Sequence, residues 1–143
     1  MNYISTIQAQ LSNLRYAFQQ PPIIIGGVAM EYYGMRKAGA DIDLVVCDAD
    51  YQALAKLHPE HRREIYGDLG VMLPPFEIWR SIALLDYDFF SHKAIDFEQL
   101  RMISFERLLF TRVAAMNDAQ KYHDDLMLCK DYVYKRYQNK EFL

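Results

Sequence analysis

The sequence predicts an α/β or α+β fold: a small mixed sheet with flanking helices and a helical C-terminal segment. Three observations carry this. The short runs Ile23-Ile24-Ile25 and Asp41-Ile42-Asp43-Leu44-Val45-Val46-Cys47 have the length and β-branched content of buried strands. Stretches of helical periodicity alternate with them through the first half of the chain. The last third holds two successive helical patterns and no strand after them.

Taken in order, Ile4, Ile7, Leu11, Leu14 and Phe18 recur at helical spacing and predict a helix over 3–18. Gln20, Pro21 and Pro22 end it, since proline cannot donate to the helical ladder. Strand 23–25 follows and is broken by Gly26-Gly27. Val28 to Tyr33 reads as a short helix stopped near Gly34. After strand 41–47, Asp48 or Asp50 is placed to cap a helix carrying Tyr51, Leu54 and Leu57. Residues 65–73 and 76–84 read as two strands, with Pro74-Pro75 forcing the turn between them. A further short strand is expected near 99–103. Ser104 caps a helix over 105–116, with Glu106 in its favourable first turn. A last helix runs from Ala119 to Tyr137, with Leu126, Cys129, Val133 and Tyr137 on one stripe.

The chain of 143 residues suits one domain, 1–143, with its core over about 20–103 and C-terminal helices over about 104–140. Apolar residues at 52% and charged residues at 24% exclude a disordered chain. A formal net charge of −3 gives no global basic field for nucleic acid. Cys47 and Cys129 stand far apart in apolar surroundings, which predicts buried, reduced thiols and a cytoplasmic protein. No segment reaches the roughly 18 apolar residues that span a bilayer, so no membrane role is expected.

Chemistry concentrates at Asp41 and Asp43. Side chains alternate along a strand, so the two carboxylates emerge on one face. On a strand that is otherwise Ile-Leu-Val-Val they need a compensating charge, and a divalent cation with oxygen ligands supplies it. Gly26-Gly27, between a strand and a helix, lets backbone amides approach a phosphate. Arg36, in the connection to the aspartate strand, adds a guanidinium suited to bidentate phosphate contact.

The stretches Ile25-Gly26-Gly27-Val28-Ala29-Met30, Gly34-Met35-Arg36 and Asp41-Ile42-Asp43-Leu44 together resemble the nucleotidyltransferase superfamily related to DNA polymerase β. They are most similar to its minimal and abortive-infection-toxin branches. The resemblance implies that Gly26 and Gly27 hold nucleotide phosphates and that Asp41 and Asp43 bind Mg2+ or Mn2+. It implies a third carboxylate from a later strand, for which Glu77 is the choice and Asp86 and Asp88 are rivals. Lys121 and Asp125, one helical turn apart, match a lysine–aspartate pair that lies near the nucleotide in such domains. The activity implied is transfer of a nucleoside monophosphate from a nucleoside triphosphate to a hydroxyl of RNA, protein or a small molecule, with an antitoxin-type protein as a partner. Val28 departs from the serine that many catalytic members carry after the glycine pair. This departure keeps open a second expectation, a module that binds nucleotide or a partner without turnover.

Structural roles compete for several of these residues. Lys121 and Asp125 also fit an ordinary helix-surface pair, Arg36 fits pairing with a surface acid, and Asp86-Tyr87-Asp88 fits a turn cap. His58 and His61 flank Pro59 and read as solvent-exposed rather than metal-binding.

Overall fold

The two apolar runs that dominate the sequence pattern lie in the middle of one seven-stranded sheet. The computed structural model describes residues 2–115, 120–139 and 141, with the side chains of Asn2 and Lys121 outside that description. In chain order the elements are α1 (Asn2–Ser12), β1 (Ile23–Ile24), α2 (Gly26–Tyr32), β2 (Ile42–Val45), α3 (Asp48–Leu57), β3 (Arg62–Ile65), β4 (Asp68–Leu73), β5 (Phe76–Trp79), β6 (Ser81–Ile82), β7 (Leu85–Asp86), α4 (Tyr87–Ser91), β8 (Ile95–Phe97), β9 (Leu100–Met102), α5 (Phe105–Ala115) and α6 (Gln120–Gln138). The main sheet runs β3-β4-β5-β2-β1-β9-β8, while β6 and β7 form a separate small hairpin. The mixed α/β architecture with a helical C-terminal end is therefore as the sequence indicates.

Strand β2 pairs in parallel with β5 and antiparallel with β1, and β1 pairs in parallel with β9. Parallel strands need long crossovers and cover on both faces. Leu44, Val45, Ile78, Ile23 and Ile24 accordingly have essentially no exposed surface. Ile4, Ile7 and Leu11 of α1 join the same core, as do Leu54 of α3 and Leu108 of α5.

Several boundaries differ from the sequence expectation. Helix α1 ends at Ser12, because Arg15 takes a left-handed φ of 54° and the last amides tighten onto nearer carbonyls. Leu14 and Phe18 still pack on the core from outside the helix. Asp48 and Asp50 do not cap α3; Cys47 holds the capping position and both acids lie in the first turn. Buried Asp50 instead ties the chain before β1 to α3. Its carboxylate accepts from the Tyr16 hydroxyl at 2.7 Å and from the Gln19 and Gln20 amides at 2.9 to 3.2 Å.

The single strand expected over 65–73 is a hairpin, β3 and β4, turning at Tyr66-Gly67. The strand expected over 76–84 stops at Trp79 and gives way to the β6–β7 hairpin. Ala83 and Leu84 have positive φ there, and the Asp68 carboxylate holds the turn by accepting from both amides and from the Ser81 hydroxyl. Pro74-Pro75 does sit in the connection between β4 and β5. Ser104 accepts from the Arg107 amide at 3.2 Å and so caps α5 as expected. In α6, Cys129 is buried, but Val133 and Tyr137 face outward at 37% and 72% exposure, so the buried seam runs through Asp125 and Cys129 instead. The expected helix ends at Met116 and Ala119 lie outside the described residues. Both cysteines are free and buried, and among the described residues no helix is long and apolar enough to cross a membrane.

Candidate active site

A cavity of about 330 Å3 is lined by the β1–α2 turn, by residues of β2 and β5, and by residues of α5 and α6. Its walls have opposite character. One is acidic and belongs to the sheet: Asp41, Asp43 and Glu77 all line it. The other holds Arg36 and Arg112, with Tyr122 of α6 beside them.

Backbone register builds the acidic wall. Asp43 on β2 and Glu77 on β5 are directly paired residues of adjacent parallel strands, so their side chains share a face. Asp41, two positions before Asp43, emerges on that face as well. Burial raises the Glu77 carboxyl above its ordinary range, as do the charge of Asp43 and a hydrogen bond shared with Asp41, while Arg63 pulls it the other way. Three carboxyl groups here share one wall of the cavity.

The folded state holds the Glu77 proton to a higher pH than the unfolded chain, so this group's stabilising contribution is complete below its ordinary value of 4.5. The contribution is lost as pH rises through the folded value. Glu77→Gln removes the titration and keeps the shape. Its melting temperature relative to wild type is expected to rise as pH climbs above 4.5 and to level off once the folded value is passed, as scanning calorimetry across the pH range will measure. A difference that is flat with pH would discount the crowding of these acids.

The turn Gly26-Gly27 borders the same cavity. Gly26 has φ +66°, and a Cβ built on it would stand 2.5 Å from Oδ2 of Asp43. The glycine is thus needed for the direct approach of the turn to the aspartate, beyond any approach to a ligand. Gly27 faces Arg36, whose Nη1 would lie 3.5 Å from a Cβ placed there.

The basic wall corrects two expectations. Asp125 is not a helix-surface acid; it is 1% exposed and faces the arginines. Arg36 donates from Nε to Oδ1 of Asp125 at 2.7 Å and from Nη2 to Oδ2 at 3.0 Å, a bidentate pair. Arg112 donates from Nη1 to the same Oδ2 at 3.2 Å. Asp125 therefore stands behind the arginines as their anchor. Arg36 does pair with an acid, as its structural alternative has it, but with a buried one.

Asp86 and Asp88 do not reach this cavity. Asp86 caps α4 by accepting from the Phe89 amide, and both acids line a separate depression with Arg80 and Cys47. The side chain of Lys121 lies outside the described residues. His61 is exposed and sits 3.5 Å from Glu60, with half-buried His58 beside it.

Compared with known proteins, no family model matches the chain, and no curated protein sequence matches it.

The acid wall offers only oxygen donors, the chemistry that hard cations prefer. Among the described residues no cluster of three or more His, Cys, Asp or Glu side chains is placed to hold a metal ion by itself. Mg2+ does not require one, because it is commonly held by one or two carboxylates together with water and substrate phosphates. The pairing of Asp43 with Glu77, with Asp41 on the same cavity wall, is the observation that fits a cation, since a positive charge would offset the crowded carboxylates.

Sequence reasoning does not reach Arg112, Trp79 or Tyr122. A signal exists for Arg112: it lies one helical turn after buried Leu108, a charged residue on an inward stripe. Trp79 reaches the cavity by lying over Gly70, where a Cβ would meet its ring at 2.7 Å.

Proposed function

We propose that this chain is a metal-dependent nucleotidyltransferase that moves a nucleoside monophosphate from a nucleoside triphosphate to a hydroxyl acceptor. One observation carries the reading: three carboxyl groups from neighbouring strands gather beside a Gly-Gly turn, with two arginines across one cavity. A site with an acidic wall and a basic wall suits a cation and a polyanion bound side by side.

On this reading Asp41, Asp43 and Glu77 would hold Mg2+ or Mn2+, which when bound would activate the acceptor hydroxyl and offset charge on the phosphates. Gly26 and Gly27 let the backbone come close to the phosphate chain. The acceptor oxygen bonds to the α-phosphorus, and the bond from that phosphorus to the bridging oxygen breaks. Pyrophosphate leaves with the electron pair, and the hydroxyl proton passes to a carboxylate of the acid wall. With a cation bound, Glu77 would take part as the carboxylate.

A second reading, binding without turnover, draws support from Val28. This side chain is 5% exposed and packed in the core, so the position after the glycine pair brings no hydroxyl to the cavity.

Incubation with each α-labelled nucleoside triphosphate, Mg2+ or Mn2+, and RNA, protein and small hydroxyl acceptors separates the two. Label covalently attached to an acceptor is the expected result. Saturable nucleotide binding with no label transferred, for any acceptor class, would leave the binding module.

A further inference from the structure

The two arginines of the basic wall are not equivalent. In Arg36 all three guanidinium nitrogens have acceptors within the protein: Nε and Nη2 on Asp125, and Nη1 on the Lys37 carbonyl at 3.1 Å. Arg112 is more deeply buried, its side chain only 8% exposed, yet among the described residues its one hydrogen bond is from Nη1 to an Asp125 oxygen that Arg36 already shares. Its Nε is buried with no acceptor among the described residues.

A guanidinium carries five N–H groups in a rigid fork, and leaving them unmet away from water is costly. The Tyr122 ring, its centroid 5.5 Å from Cζ, and the Asp125 anchor both constrain the group. Burial pulls the Arg112 guanidinium below its ordinary value, while Asp125 and, more weakly, Asp43 favour the charge. So Arg112 feels the acid wall and is the less satisfied of the two cations.

We propose that Arg112, and not Arg36, is the residue that grips an anionic group in this cavity, a polyphosphate chain, with Asp125 as the positioning residue for both arginines. The polyphosphate identity rests on the nucleotidyltransferase reading, whereas the anion contact rests on the hydrogen-bond inventory of the two side chains. Arg36 fixes Asp125, Asp125 fixes one edge of Arg112, and the Arg112 donors that meet no acceptor among the described residues are what is left for a ligand.

Inorganic tripolyphosphate is the probe, since it has no nucleoside and undergoes no transfer here. Titration calorimetry with and without Mg2+ is expected to show binding to the wild-type chain, weakened about tenfold or more in Arg112→Gln. Arg112→Lys keeps the charge and loses the fork, and an intermediate affinity is expected. Should Arg112→Gln fail to fold, by circular dichroism, the lysine variant carries the comparison. Tripolyphosphate affinity equal to wild type in a folded Arg112 variant would overturn the proposal, as would no binding to the wild-type chain under either condition. In the transfer assay, the variant is expected to raise KM for the nucleotide. Tripolyphosphate bound through Arg112 with no transfer by the wild type would sink the transferase reading alone. Transfer by Arg112→Gln with an unchanged KM would sink this inference alone.

Discussion

Asp43→Asn is expected to lower metal-dependent transfer roughly a thousandfold while leaving the fold intact. Asparagine preserves the size and most hydrogen bonding of the side chain and deletes its charge. That charge sits directly opposite Glu77 in the parallel β2–β5 register and faces the Gly26 turn, so it is central to the acid wall. Its loss has two separable effects. A cation is held less well, which lowers the rate and shifts its dependence to higher Mg2+ concentration. The Glu77 carboxyl, raised in part by Asp43, moves back toward its ordinary range, which relieves strain in the apo protein. The melting temperature without metal should therefore be unchanged or higher, and Mg2+ should raise it less than in wild type. Asp86→Asn is the control, because this acid caps α4 away from the cavity and asparagine caps as well. Initial rates and melting curves on the same preparations read both effects. Wild-type rate and Mg2+ dependence in Asp43→Asn would remove the metal role from this strand.

What was legible in the sequence follows from range. Asp41 and Asp43 on one face, and a break at Gly26-Gly27, are consequences of local rules, strand alternation and glycine between two elements. The structure places them as those rules require. Glu77 could be favoured over Asp86 and Asp88 only by its apolar neighbours. What puts it in the cavity is the parallel pairing of β2 with β5, more than thirty residues apart, which no local pattern encodes. Asp86 was legible as a cap from its turn context. The β3–β4 hairpin was not, because Tyr66 takes the left-handed conformation beside Gly67 within a stretch that otherwise reads as continuous strand. Asp125 and Arg112 were hidden for another reason. A charged residue on a helix reads as solvated unless its partner is known, and here the partners come from three separate segments of the chain.

Gly26→Ala should damage stability and activity together, and the two causes can be measured apart. One is conformational: φ at Gly26 is +66°, and an L-residue there costs about 1–2 kcal/mol. The other is contact: the new methyl would stand 2.5 Å from Oδ2 of Asp43, closer than such atoms approach, and a tight 3.2 Å from its Cβ and Cγ. The carboxylate must swing away, and with it the charge that the transfer reaction needs. Gly34→Ala calibrates the first cause, since Gly34 has φ +78° and nothing within 4 Å of its Cβ position. Gly26→Ala is expected to cost about 1 kcal/mol more than Gly34→Ala by denaturant unfolding, and to lose transfer that Gly34→Ala retains. Asp43→Ala removes Cγ and both oxygens and leaves only Cβ at 3.2 Å, so in that background Gly26→Ala should fall most of the way back to the Gly34→Ala cost. The resulting coupling of about 1 kcal/mol is the signature of direct contact. Strict additivity of the two substitutions would mean that the turn and the aspartate do not touch, and that Gly26 serves the backbone alone.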